Sequence, residues 1–168
     1  MEIEVSDLAF CLAVTGSAIA LLGGLTGSSV GIGRAASAGT AALAEDPKQF
    51  RNVFLLAALP MTQTFYGLIT MIQMLGYIGS ISGKTQLSLQ GGLAILALGI
   101  VVAFTEFFSA MIQGSVCASG IAELPRTRGK ITFNTMILAV YVELMGILGM
   151  VFALMALNMM QGNVLPKP

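Results

Sequence analysis

There is no histidine and no tryptophan among the 168 residues, and the two cysteines are Cys11 and Cys117. Without imidazole, and with so few thiols, the chain has no donor set for zinc, iron or copper. Two cysteines inside apolar stretches read as small buried hydrophobes, not as a disulfide framework. Charge is scarce as well. Lys and Arg number 8 and Asp and Glu number 8, so 10% of the residues are charged and the net charge is zero, against about 25% in a soluble domain. That leaves too little polar surface to face water. It also removes the basic footprint of a nucleic-acid binder, so no nucleic-acid partner is expected. What is present is 56% apolar residues, 20 glycines and a mean hydropathy of +0.89. This is the composition of a membrane protein.

Four apolar stretches run from about Leu8 to Leu43, Phe50 to Ile78, Leu89 to Ala122 and Ile131 to Met160. Each exceeds the roughly 20 residues that span a bilayer, so the helices tilt or project from it. The fold class expected is an all-α membrane protein whose four transmembrane helices form two tandem hairpins, residues 1–83 and 84–168. The first stretch does not read as a signal peptide, because its flank is acidic (Glu2, Glu4, Asp7) and its apolar run is too long. Arg34, Lys48, Arg51, Arg126, Arg128 and Lys130 lie in or beside the first and third breaks, and only Lys84 and Lys167 lie at the other end. This bias places loops 44–50 and 123–130 in the cytoplasm and both termini outside.

The hairpins look like copies of one another. Gly33 with Gly39 matches Gly114 with Gly120 at an offset of 81, and Gln63 matches Glu143 at an offset of 80. The first helix also carries a ladder of small residues at Gly16, Ala20, Gly23 or Gly24, Gly27, Gly31, Ala35 and Gly39. The third repeats it more loosely at Gly92, Gly99, Ala103, Ala110, Gly114 and Ala118. Such ladders let helix backbones approach closely. They predict a tightly packed inner layer of first and third helices, shared between many copies.

Glu143 falls near the middle of the fourth helix. A carboxylate there costs a few kcal/mol even on the lenient insertion scale, and marks a functional site by default. Counting from the cytoplasmic breaks, Glu143 lies 15 residues beyond Arg128, Gln63 lies 15 beyond Lys48, and Gln113 lies 13 before Arg126. At 1.5 Å per residue all three sit about 20 Å from one interface. Leu59, Thr62, Gln63 and Tyr66 share a face of the second helix. Pro60 removes a backbone donor there and most directly frees the carbonyl of Leu56. One carboxylate, two amides and a hydroxyl make an oxygen-rich cage. A bare proton needs only the carboxylate, whereas Na⁺ needs several oxygens to replace its hydration shell. Glu106, seven residues before Gln113 on the same face, stays outside this primary site with its role open.

The duplicated hairpin, the Gly-rich first helix, the run Leu59-Pro60-Met61-Thr62-Gln63-Thr64-Phe65-Tyr66-Gly67, the pair Gln113-Gly114 and the deep Glu143 together resemble the V-type ATPase proteolipid, the building block of the rotor ring. The match is nearest to its sodium-translocating bacterial form. The resemblance implies a homo-oligomeric ring in the cell membrane, with the Gly-rich first helices lining its inside. It implies Na⁺ as the coupling ion, with H⁺ the alternative, held by the Leu59 carbonyl, Thr62, Gln63, Gln113 and Glu143, and Tyr66 hydrogen-bonded to the carboxylate. Its use of the Leu59 carbonyl differs from the Leu56 expectation and takes precedence over it. The implied partners are further copies of the chain, lipid, a membrane stator subunit bearing an arginine, and the central stalk of the ATPase. Glu106 departs from the pattern, standing where relatives carry a small residue. ATP hydrolysis would occur in a separate head: the run Gly23-Gly24-Leu25-Thr26-Gly27 lacks the Gly-Lys-Ser/Thr of a phosphate loop, so no enzymatic activity is expected of the chain. The competing class is a small four-helix proton-coupled cation or drug antiporter. That type carries its acid in the first helix and an aromatic pocket, whereas here the acid is in the fourth and aromatics are 7%.

Overall fold

The computed structural model describes residues 5–82 and 87–164. Lys84, Lys167, Glu2, Glu4 and the 83/84 division between hairpins lie outside the described residues. Among those described, the chain is helical throughout: α1 (Val5–Glu45), α2 (Phe50–Ala58), α3 (Thr62–Ser82), α4 (Leu89–Ala122), α5 (Leu124–Thr127) and α6 (Thr132–Val164). Two 3-10 turns, Pro47–Gln49 and Leu59–Met61, join α1 to α2 and α2 to α3. Four stretches are long and apolar enough to cross a membrane: Val5–Glu45, Pro47–Ile81, Leu89–Ala122 and Thr132–Met160. The 41 residues of α1 exceed what a bilayer requires, so this helix projects well beyond the hydrocarbon.

The small residues determine how the helices meet. A Cβ on Gly16 would strike the backbone of Leu96, one on Gly27 that of Phe107, and one on Gly31 that of Ala110. From the other side, one on Gly92 would strike Ala9 and one on Gly114 would strike Gly31. The pairings advance in the same direction along both helices, so α1 and α4 run parallel with their backbones in contact. The ladder of α1 is buried along its length, from Gly16 to Gly39. Within one chain much of it packs against α4, so the first and third helices form one tightly packed layer. Pairings run in opposite directions elsewhere. Gly24 meets Gln63 while Gly31 meets Pro60, and Gly120 meets Thr135 while Gly149 meets Thr105. Hence α1 is antiparallel to α2–α3, and α4 is antiparallel to α6.

Local chemistry punctuates the chain at one end. Asp46 caps the Pro47 turn through its carboxylate to the Lys48 N–H at 3.1 Å and accepts from Gln49 Nε2 at 2.9 Å. The Gln49 bond, assisted by Lys48, holds its carboxyl below the usual carboxylate range. In the second loop Arg128 and Gly129 take positive φ, 53° and 79°, which ends α5 and turns the chain into α6. Gly129 packs against Gln49 and Asn52, where a Cβ would come within 2.6 Å of the Asn52 amide. The two loops thus sit side by side at one end of the molecule.

Arg34 lies within α1, 11 residues before its end at Glu45, and reaches across to α4 to donate to Ser115 Oγ at 2.8 Å and the Met111 carbonyl. Long basic side chains travel this way to find acceptors. Cys117 is buried, as its apolar setting predicts, but Cys11 is exposed on the outer face of α1.

Candidate functional site

Pro60 has no N–H, and the second span tightens here into the Leu59–Met61 turn before α3 resumes. The turn directs its oxygens toward one place. The Thr62 N–H bonds to the Leu59 carbonyl. Thr62 Oγ1 lies 3.1 Å from that same carbonyl and 3.1 Å from Gln63 Oε1, its single proton serving one at a time. The carbonyl that Thr62 meets is that of Leu59, the one the resemblance selected.

From α3 the polar chain crosses to α4. Gln63, fully buried, donates from Nε2 to Gln113 Oε1 at 2.9 Å. Gln113, also fully buried, donates from its own Nε2 to Glu143 Oε2 on α6 at 3.2 Å. The other carboxylate oxygen, Oε1, accepts from Tyr66 Oη at 2.7 Å. All six residues expected from the sequence, Leu59, Thr62, Gln63, Tyr66, Gln113 and Glu143, are joined in one network across three membrane helices. Glu143 itself is half-buried.

One participant had not been foreseen. Ser109 Oγ accepts from Gln63 Nε2 at 3.1 Å and donates to the Val142 carbonyl at 3.0 Å, tying α3, α4 and α6 together. It lies four residues before Gln113, so it shares that face of α4. Glu106 lies three residues before Ser109 and is also fully buried. Among the described residues neither of its carboxylate oxygens has a hydrogen-bond partner. A Cβ on Gly146 of α6 would stand 2.6 Å from Glu106 Oε2 and 3.2 Å from Ser109 Oγ, so Glu106 occupies the space that glycine leaves.

The donor set is made of oxygens. Among the described residues no group of three His, Cys, Asp or Glu could hold a metal ion. Instead, a carbonyl, a hydroxyl, two amides and one carboxylate follow one another in a single hydrogen-bonded chain. Such a set suits a hard monovalent cation, and the single carboxylate would balance a single positive charge. Buried amides that satisfy one another, as here, can turn their oxygens inward when a cation arrives, because the amide group carries both donor and acceptor.

Residues 9–74 and 96–156 match the ATP synthase C-subunit family. Two curated proteins are similar over most of the chain. One is the V-type sodium ATPase subunit K of Enterococcus hirae, 34% identical over 133 residues, which covers 79% of this chain and 81% of that protein. The other is the A-type ATP synthase subunit K of Methanocaldococcus jannaschii, 34% identical over 148 residues, covering 86% of this chain and 63% of that protein. Their family assembles as oligomeric rings of non-catalytic membrane subunits. The chain belongs to the ATP synthase C-subunit family, as a rotor-ring proteolipid of the V/A type.

Proposed function

We propose that this proteolipid carries Na⁺ across the membrane, one ion at a time on Glu143, as its ring turns. The observation that carries this reading is the continuity from the Leu59 carbonyl through Thr62, Gln63 and Gln113 to Glu143. A proton would require only the carboxylate, whereas here four further oxygens belong to the hydrogen-bonded chain that ends on it. The sodium ATPase subunit K of Enterococcus hirae, at 34% identity, supports the same ion. Tyr66 orients the carboxylate and, by its bond to Oε1, helps keep Glu143 turned inward.

The ring is turned by ATP hydrolysis in a separate head, through a central stalk. Glu143 then moves past a stator subunit whose arginine competes with Na⁺ for the carboxylate and frees the ion. The half-buried position of Glu143 suits such an encounter. Each chain consists of two hairpins, 1–83 and 84–168, with Gln63 standing in the first where Glu143 stands in the second. One deep acid of this kind for four helices lowers the ions moved per turn and favours pumping.

Lys48, Arg51, Arg126, Arg128 and Lys130 gather at the end where the two loops meet, which supports a cytoplasmic position for that end in the cell membrane and an outside position for both termini. Carbodiimide modification of Glu143 tests the ion. Na⁺ is expected to slow it at mildly acidic pH, and modification indifferent to Na⁺ would assign the ring to protons.

A further inference from the structure

Among the described residues Glu106 is the one fully buried acid that the site above does not use. Its surroundings offer it nothing. Ser109, the nearest hydroxyl, gives its proton to the Val142 carbonyl at 3.0 Å and accepts from Gln63 at 3.1 Å. The titratable groups on the neighbouring helices are Glu143 of α6 and Tyr66 of α3, and Tyr66 donates to Glu143. The helix α1 presents Gly23 and Gly27 to this part of α4, opposite Ala103 and Phe107, and has no titratable residue there. No amide, ammonium or guanidinium therefore reaches Glu106 among the described residues, and both its oxygens are without partners.

A carboxylate enclosed in an apolar bundle without a donor is not tolerated as a bare charge. What neutralises it has to be a cation that its own oxygens bind. Residue 146 is a glycine, and a Cβ there would lie 2.6 Å from Glu106 Oε2, 3.2 Å from Ser109 Oγ and 3.4 Å from Gln63 Cγ, so the carboxylate and the hydroxyl lie against the same point of the bare α6 backbone. An apolar groove of about 330 Å³ between α4 and α6, bordered by Phe104, Phe108, Ile112 and Met145, reaches Ser109 but not Glu106.

We propose that Glu106, beside Ser109 and Gly146, forms a second exchangeable site for a monovalent cation in each chain, about two helical turns along α4 from Gln113 on its non-cytoplasmic side. The occupant is a proton or Na⁺, either of which supplies the single positive charge the carboxylate requires. The proposal relies on the ring reading only for the source of its cation. It changes the number of cations each chain holds from one to two.

The test is carbodiimide labelling of the assembled, purified ring, located residue by residue by mass spectrometry, with and without Na⁺ and as pH is raised. A Glu143→Gln ring is expected to retain label at residue 106, and a Glu106→Gln ring to lose it while keeping label at Glu143. Loss of the Glu106 label on adding Na⁺ identifies Na⁺ as the occupant. Loss only as pH rises identifies a proton. A Glu106 that is never labelled, or whose label responds to neither Na⁺ nor pH, overturns the proposal and leaves a fixed structural acid. The native ring gives the same readout without substitution, should either variant fail to assemble. Labelling of Glu143 in that native ring judges the ring reading separately.

Discussion

Gln63 of α3 and Gln113 of α4, 50 positions apart in sequence, are joined at 2.9 Å in a fully buried hydrogen bond. This bond connects the first half of the chain to the second at the depth of Glu143. Removing either amide leaves the other with an unsatisfied buried group, which costs about 1–3 kcal/mol. If both amides are ligands, Gln113→Ala weakens Na⁺ binding by roughly 5- to 150-fold while the ring stays assembled. Isothermal titration of the purified ring measures it, and unchanged affinity would remove Gln113 from the site.

Tyr66 tests how the carboxylate is held. Tyr66→Phe deletes the 2.7 Å bond to Glu143 Oε1 and keeps the volume of the aromatic ring. A hydrogen bond to a charged group contributes about 1.5–3 kcal/mol, so Na⁺ affinity should fall by at least tenfold. The same variant should speed carbodiimide attack on Glu143, since the acid is then free to turn outward.

Packing of α1 on α4 leaves no room for a side chain at Gly27, where a Cβ would lie 2.6 Å from the Phe107 Cα. Gly27→Val forces the two backbones apart, a cost of about 1–3 kcal/mol or more. The expected outcome is a lower thermal midpoint for the detergent-solubilised ring, whereas Gly33→Ala, at a position with open space, should leave it unchanged.

The loop after α1 is pH-sensitive through Asp46. Its carboxyl titrates below its ordinary value because Gln49 donates to it. The stabilisation is therefore present above that ordinary value and is lost as pH falls through the lowered one. Amide exchange at Lys48, whose N–H bonds to Asp46 Oδ1, should accelerate in acid and in Asp46→Ala at neutral pH.

Much of this was legible in the sequence because membrane helices turn residue number into depth. Counting at 1.5 Å per residue from the basic loops put Gln63, Gln113 and Glu143 at one level, and they do meet. The long spans were equally plain from hydropathy. Ser109 was missed for a physical reason: a serine in a membrane helix can satisfy itself by bonding back to its own backbone, as Ser17 and Ser115 do here, so its presence signals little. The choice between the Leu56 and Leu59 carbonyls depended on the 3-10 turn at Pro60, which a proline alone does not specify. Glu106 was visible as an anomaly, but its isolation, with both oxygens unpartnered, emerged only from the packing around Gly146.

The most direct measurement is a density map of the assembled ring prepared in saturating Na⁺. The account predicts a peak in every copy of the chain, enclosed by the Leu59 carbonyl, Thr62 Oγ1, the Gln63 and Gln113 amide oxygens and the Glu143 carboxylate, with Tyr66 bonded to Glu143. Rings whose Glu143 stays bonded to Gln113 and Tyr66, with no density among those oxygens, would contradict it.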